Sequence, residues 1–236
     1  MKTESLKDGV RSGLPIAMGY FPIAMTFGVL SKTAGVSMGE SFLFSAIVYA
    51  GASQFMALNM IMIGSSFTQI LIATLLLNLR HFLMSASLSQ RMKVVDKRLL
   101  PIISFGITDE AFSVASAREG DICPLYFIFL HLTAYLSWIV GTWTGFLAGE
   151  LLPPVLTSSM VVGLYALFVA LLVPQLKGSY RVSFLVILSG IVNTAIKSSG
   201  YIPRGWDIVL TITIVSAIGV LLEEKLDKEE DNIDEI

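Results

Sequence analysis

Apolar residues in this chain do not alternate with polar ones. They run in long blocks separated by short polar joints. Six blocks read as spanning helices: Ser41–Ile63, Thr68–Leu88, Leu125–Leu147, Leu156–Pro174, Tyr180–Ile196 and Trp206–Leu222. A span needs roughly 17–25 apolar residues, and the last two blocks sit at the short end. Two more blocks are apolar but punctuated. Gly13–Leu30, "GLPIAMGYFPIAMTFGVL", holds Pro15, Gly19, Pro22 and Gly28. Leu99–Ser116, "LLPIISFGITDEAFSVAS", holds Pro101 and Gly106, then Thr108-Asp109-Glu110. Proline removes a backbone donor and clashes with the preceding turn, so both are predicted to be broken helices, re-entrant or spanning. The pattern therefore predicts an all-α polytopic membrane protein. Residues 1–222 form one integral membrane domain, and 223–236 an acidic disordered tail.

Composition agrees. The chain is 54% hydrophobic and 14% charged, where soluble domains carry about 25% charged residues. The net charge of −2 hides an asymmetry: from Glu223 onward eight acids face Lys225 and Lys228. Nothing has the basic density that nucleic acid requires. Cys123 is alone, which excludes an intrachain disulfide. The mixed-charge start "MKTESLKDGVR" and the absence of an A-x-A pattern after the first apolar run read as no cleaved signal peptide.

Charge also tests topology. If all eight blocks span, Lys and Arg divide almost evenly between the two sides. If both broken segments enter and return on one side, only Lys197 and Arg204 fall outside, with Arg80 inside a span. Cytoplasmic loops favour Lys and Arg, so the re-entrant arrangement is preferred. The broken segments also resemble each other: Leu14-Pro15-Ile16 matches Leu100-Pro101-Ile102, hinting at a weak internal repeat of about 87 residues. Transporters often place substrate between paired interrupted helices.

Polar positions inside apolar blocks are the candidate chemistry. Thr74, Asn78, His81 and Ser85 recur every three or four residues and form one helical stripe, with Arg80 beside it. Such a stripe must face protein or a wet path. It serves either interhelical bonding, including a structural Arg80–carboxylate pair, or a permeation lining. Asp109, Ser113 and Ser116 form a second stripe, flanked by Glu110. Adjacent carboxylates in an apolar setting cannot easily both be ionised, so one can carry a proton; the alternative is that both are solvated. "YAGASQF" adds Ser53 and Gln54 among small residues. Ser189, Asn193 and Lys197 make a further stripe, whose lysine is expected to snorkel. Gly141, Gly145 and Gly149 form a helix-packing face, for this chain or a partner. His131 reads as a bonded structural histidine. No metal-ligand spacing, nucleotide loop or complete GxSG turn is present, so no cofactor, metal or enzyme activity is expected.

"GYFPIAMTFGVLSKTAGVS", "YAGASQFMAL", "LLNLRHFLMSASLS" and "TDEAF", in that order, resemble the AzlC family of bacterial branched-chain amino acid exporters, from about Gly9 to Leu222. The resemblance implies export of leucine, isoleucine and valine, and in some members methionine. It also implies a small AzlD-like membrane subunit and the bacterial cytoplasmic membrane. The positions that match are Ser53, Gln54, Asn78, Arg80, His81, Thr108, Asp109 and Glu110.

Their roles are argued from chemistry. A zwitterion needs a cation or helix N-terminus for its carboxylate and an acceptor for its ammonium. Ser53, Gln54, Asn78 and Arg80 are the substrate-binding candidates. His81, Asp109 and Glu110 are the proton-coupling candidates. Met25, Phe27, Phe55, Met56 and Met84 are candidates for an apolar side-chain pocket. Two other functions fit the same residues: transport of another small amine or carboxylate, and a non-transporting accessory subunit.

Overall fold

The computed structural model describes residues 2–92, 96–149, 180–202 and 206–234, with 169, 172, 173, 176 and 177 between them. Side-chain surroundings are described only between 6 and 222. Among the described residues there is helix and no strand. The elements are α1 (Lys2–Thr33), α2 (Met38–Leu43) with a π-helical turn (Phe44–Val48), α3 (Gly51–Met62), α4 (Phe67–Arg91), α5 (Leu100–Phe105), α6 (Asp109–Ser116), α7 (Pro124–Ala148), α8 (Tyr180–Ser199) and α9 (Trp206–Asp234). Among the described residues, four helices are long and apolar enough to cross a membrane: Leu6–Thr33, Phe67–Arg91, Pro124–Ala148 and Tyr180–Ser199. Trp206–Leu222 is a shorter apolar helix. The span expected at Leu156–Pro174 lies outside the described residues save 169, 172 and 173. The helical backbone of α9 runs on through the acidic stretch to Asp234.

The chain divides into two compact units, Met1–Asn59 with Asn78–Tyr165, and Met60–Leu77 with Ala166–Ile236. In the second, α8 and α9 lie antiparallel. Asn193 Nδ2 donates to Thr211 Oγ1 at 3.2 Å, and Gly219 faces Leu185.

The axis of the first unit is α1 against α7. The pairing is parallel, because contacts advance together along both helices. Gly9 meets Tyr126, Ser137 Oγ donates to the Ala17 carbonyl at 2.6 Å, and Gly28 meets Thr142 and Phe146. Gly145 lies on the Met25 backbone so closely that any Cβ would overlap it. The double-glycine face of Gly141 and Gly145 is thus filled within the chain, by α1. This seam corrects the first expected break. Despite Pro15 and Pro22, α1 is one helix. Each internal proline costs about 3 kcal/mol in an isolated helix. In an apolar setting, packing on a neighbouring helix makes such prolines tolerable. Here backbone-to-backbone contact with α7 supplies that packing, and Thr26 donates to the Pro22 carbonyl at 3.0 Å.

The interruption falls instead in Ser41–Ile63, expected as one span. Tyr49 adopts φ 44°, ψ 37°, a left-handed conformation that a bulky side chain rarely takes. There the chain reverses. The Phe27 ring touches both Phe44 (5.7 Å) and Phe55 (5.5 Å), and Gln54 Nε2 donates to Ser45 Oγ at 3.1 Å. Residues 44–45 and 54–55 therefore lie side by side. The stretch from α2 to α3 is a hairpin that starts beside the end of α1, descends along α7 and returns. Ser45 bonds Thr142 at 2.7 Å, and the tip residue Tyr49 reaches down to Tyr135 (4.9 Å).

The second break is where the sequence places it. Helix α5 ends at Gly106, and Thr108 caps α6 by accepting the Ala111 N–H at 3.2 Å. This hairpin rises from the opposite end. Arg91, at the end of α4, donates to the carbonyls of Ser116 (2.8 Å), Arg118 and Gly120 (2.8 Å), and its own carbonyl accepts Ile122 N–H at 2.9 Å. The base of the hairpin thus sits where α4 finishes and α7 begins. Its tip reaches Tyr135 through Phe105 (5.5 Å). The two tips meet directly, Tyr49 stacked on Phe105 with centroids 5.7 Å apart. The proposed repeat of about 87 residues is not expressed in the fold. It pairs α1, a continuous helix, with a hairpin, whereas the two hairpins are the matched elements.

Candidate functional site

The candidate residues gather around the hairpin tips, all within the first unit. Ser53, in the first turn of α3, is buried and donates to Asn78 Oδ1 at 2.6 Å. This bond joins the returning arm of the first hairpin to α4. Gln54 is fully buried in a chain running from its Nε2 to Ser45 and on to Thr142. Its Oε1 has no partner among the described residues. Gln54 therefore braces the hairpin against α7 more directly than it faces a path.

Arg80 and Asp109 form an ion pair at 2.9 Å, with side chains 40% and 37% exposed. The pair ties α4 to the first residue of α6. Arg80 Nε is buried and has no partner among the described residues, so the guanidinium's donor capacity is not used up. His81 is half-buried and its ring makes no hydrogen bond among the described residues. The stripe drawn from Thr74 to Ser85 is less uniform than its spacing implies. Thr74 and Ser85 return their hydroxyls to their own helix, at the carbonyls of Ile70 and His81, each 2.7 Å. Asn78 alone of the four bonds another helix. The apolar side chains of α4 at Leu75, Leu79, Phe82 and Leu83 are exposed, as a lipid-facing helix requires.

Glu110 is held by a residue outside the predicted set. The Tyr20 hydroxyl lies 2.5 Å from Glu110 Oε2 and 3.0 Å from Thr108 Oγ1. Tyr20 comes from the middle of α1 and packs edge-on against Trp138 (5.3 Å) and Tyr49 (6.4 Å). Tyr49, which heads the "YAGASQF" cluster, completes the surroundings with Tyr135 and Trp138, and none of the three is among the predicted site residues. A signal existed, since a tyrosine inside an apolar helix must find a partner for its hydroxyl. His131 departs from expectation. It is 3% exposed, and neither ring nitrogen has a partner among the described residues. Its ring fills the notch at Gly106, where a Cβ would overlap it, so packing rather than hydrogen bonding fixes it. Of the expected apolar pocket, Phe27 and Phe55 are core and pack on each other, and Met84 lies against the same core. No cluster of metal-ligating side chains exists among the described residues.

Long apolar helices with lipid-suited faces, joined to two interrupted hairpins that carry buried polar groups to a common level, define a polytopic helical membrane protein. The chain belongs to the AzlC family, whose profile, described as "AzlC protein", matches residues 15–152. A relative from Archaeoglobus fulgidus described as an uncharacterized membrane protein is 34% identical over 220 residues, covering 87% of this chain and 97% of its own. The inner membrane protein YgaZ of Escherichia coli is 33% identical over 148 residues, 61% of this chain and 60% of its own. The branched-chain amino acid transport protein AzlC of Bacillus subtilis is 26% identical over 140 residues, 58% of this chain and 55% of its own. No solved structure matches.

Proposed function

We propose that this protein exports branched-chain amino acids across the cytoplasmic membrane in exchange for protons, working with a small AzlD-like subunit. The observation that carries the reading is the meeting of two hairpin tips beside Arg80, Asp109 and Glu110. Interrupted helices bring helix N-termini and unpaired backbone groups into the interior, where an amino acid's charged ends need them. The relatives' names agree in kind. Ser53, Asn78 and Arg80 serve the substrate, with Gln54 holding the first hairpin in place. Asp109 and Glu110, with His81 beside Arg80, are the groups that take up and release the proton.

The test is reconstitution of the full chain with and without the small subunit, followed by efflux of a panel of labelled amino acids under an imposed pH gradient. Leucine, isoleucine and valine are expected to leave fastest, and only with the gradient directed inward. Efflux of a different amine or carboxylate would reassign the substrate. No efflux of any compound, with or without the subunit, would identify an accessory protein.

A further inference from the structure

Five aromatic rings crowd the place where the hairpin tips meet, and a carboxylate lies among them. Tyr20, Tyr49, Phe105, Tyr135 and Trp138 make successive contacts at centroid distances between 4.9 and 6.4 Å. Most of these contacts are edge-to-face, which leaves ring faces turned inward on their neighbours. Ring faces carry partial negative charge. Glu110 adds a carboxylate at the same point, and the nearby guanidinium of Arg80 is engaged by Asp109. A carboxylate set beside electron-rich rings favours a cation over an anion. Two further atoms are in want of partners. Tyr49 Oη and Trp138 Nε1 belong to side chains that are each 3% exposed, and neither has a hydrogen-bond partner among the described residues. A buried polar atom left unpaired is costly, and sites that bind a ligand are where such atoms persist.

We infer that the hairpin tips enclose a site for a primary ammonium group, with Glu110 as its counter-ion and Tyr20, Tyr49 and Trp138 as its walls. In the structure the box is shut on itself. The Tyr20 hydroxyl donates to Glu110 and so holds the position of an ammonium N–H. The arriving amine displaces that hydroxyl, gives one N–H to Glu110 and another to Tyr49 Oη, and rests on the indole face. Trp138 N–H, a donor only, is then available to a ligand acceptor such as a carboxylate oxygen. The site deepens the amino-acid reading above but rests on it only for the natural ligand.

Binding to the purified full chain in detergent tests it, read as a concentration-dependent rise in melting temperature. The probes are 3-methylbutylamine, which has the leucine side chain and amine without the carboxylate, and 4-methylpentanoate, which has the carboxylate without the amine. The amine is expected to stabilise the protein and the acid not. Glu110→Gln should weaken amine binding by at least about tenfold. Trp138→Phe should weaken it by about threefold, since the indole is the better cation surface. Tyr20→Phe is the decisive variant. Removing the built-in competitor should tighten amine binding by about fivefold, whereas a purely structural Tyr20 predicts weakening or none. Stabilisation by the acid and not the amine overturns the site, as does no response to either probe. Leucine efflux without any amine response sinks this site and leaves the transport reading standing. Amine binding without leucine efflux does the reverse.

Discussion

At the residue scale, the Arg80–Asp109 ion pair ties α4 to the first residue of α6 at 2.9 Å. Both residues are conspicuous in the sequence, because a charge inside an apolar block demands a partner or a purpose. That the two are partners was weighed but not readable, since their elements are separated by the whole second hairpin arm. For Tyr20 and Trp138 the sequence signals only that a hydroxyl and an indole N–H lie in apolar helices; which groups surround them is not legible until the helices are packed. Arg80→Lys keeps the charge but loses the planar fork and the spare Nε donor. It is expected to accumulate normally in the membrane and to lower efflux by at least about tenfold, about 1.4 kcal/mol. Unchanged efflux would make the pair a structural tie. Asp109→Asn still accepts a bond from Arg80 yet cannot titrate. In one batch of vesicles, efflux driven by a pH gradient should disappear while counterflow persists. Parallel loss of both would assign Asp109 to folding instead of coupling.

At the element scale, proline and glycine misled for a physical reason. Pro15 and Pro22 do weaken α1 as a helix, but the neighbouring α7 decides the outcome, and no local rule sees a neighbour. The true reversal at Tyr49 carries no proline; "YAG" offers only a tyrosine, an alanine and Gly51. The second break was legible because Gly106 and the Thr108 cap are local signals. If the seam with α7 is what keeps α1 whole, its glycines should be intolerant. Gly145→Leu drives a side chain into the Met25 backbone and should cost on the order of 3 kcal/mol or more, seen as poor accumulation and a lowered melting temperature. Gly19 lies in the same helix with nothing within 4 Å of an added Cβ. Gly19→Ala should be neutral or stabilising by up to about 1 kcal/mol. Equal damage from both variants would mean that helix α1 itself, and not the seam, is limiting.

At the scale of the whole molecule, the first unit explains the distribution of charge. Of the two segments expected to break, Leu99–Ser116 is a hairpin and Gly13–Leu30 is not, because counting Lys and Arg constrains sides but not which block turns back. Parallel α1 and α7, with one hairpin returning to each end, place Lys7, Arg11, Arg91, Lys97, Arg98 and Arg118 at one end and Lys32 at the other. The lysine- and arginine-rich end is expected to be cytoplasmic. After Cys123 is replaced by Ser, a cysteine at Ala34 should react with an impermeant thiol reagent on whole cells, and one at Lys97 should not. Reaction at Lys97 would overturn this orientation.

The two ends of the second hairpin are fastened in different ways. Its foot is gripped by one guanidinium across three carbonyls, while its tip is held by side chains from other helices: the Tyr20 phenol on Glu110, Arg80 on Asp109, and the Phe105 ring against Tyr49 and Tyr135. Were a short piece mounted in this way to pivot, Arg91 would be its hinge post and Tyr20 one of its latches. Opening such a door requires breaking the Tyr20–Glu110 bond, worth about 1.5–3 kcal/mol, together with the Arg80–Asp109 pair and the Phe105 ring contacts, and leaves the hinge untouched. On the proposed reading, an amine that offers Glu110 an equivalent donor replaces the Tyr20 latch, while Arg80–Asp109 and the Phe105 contacts remain to be parted.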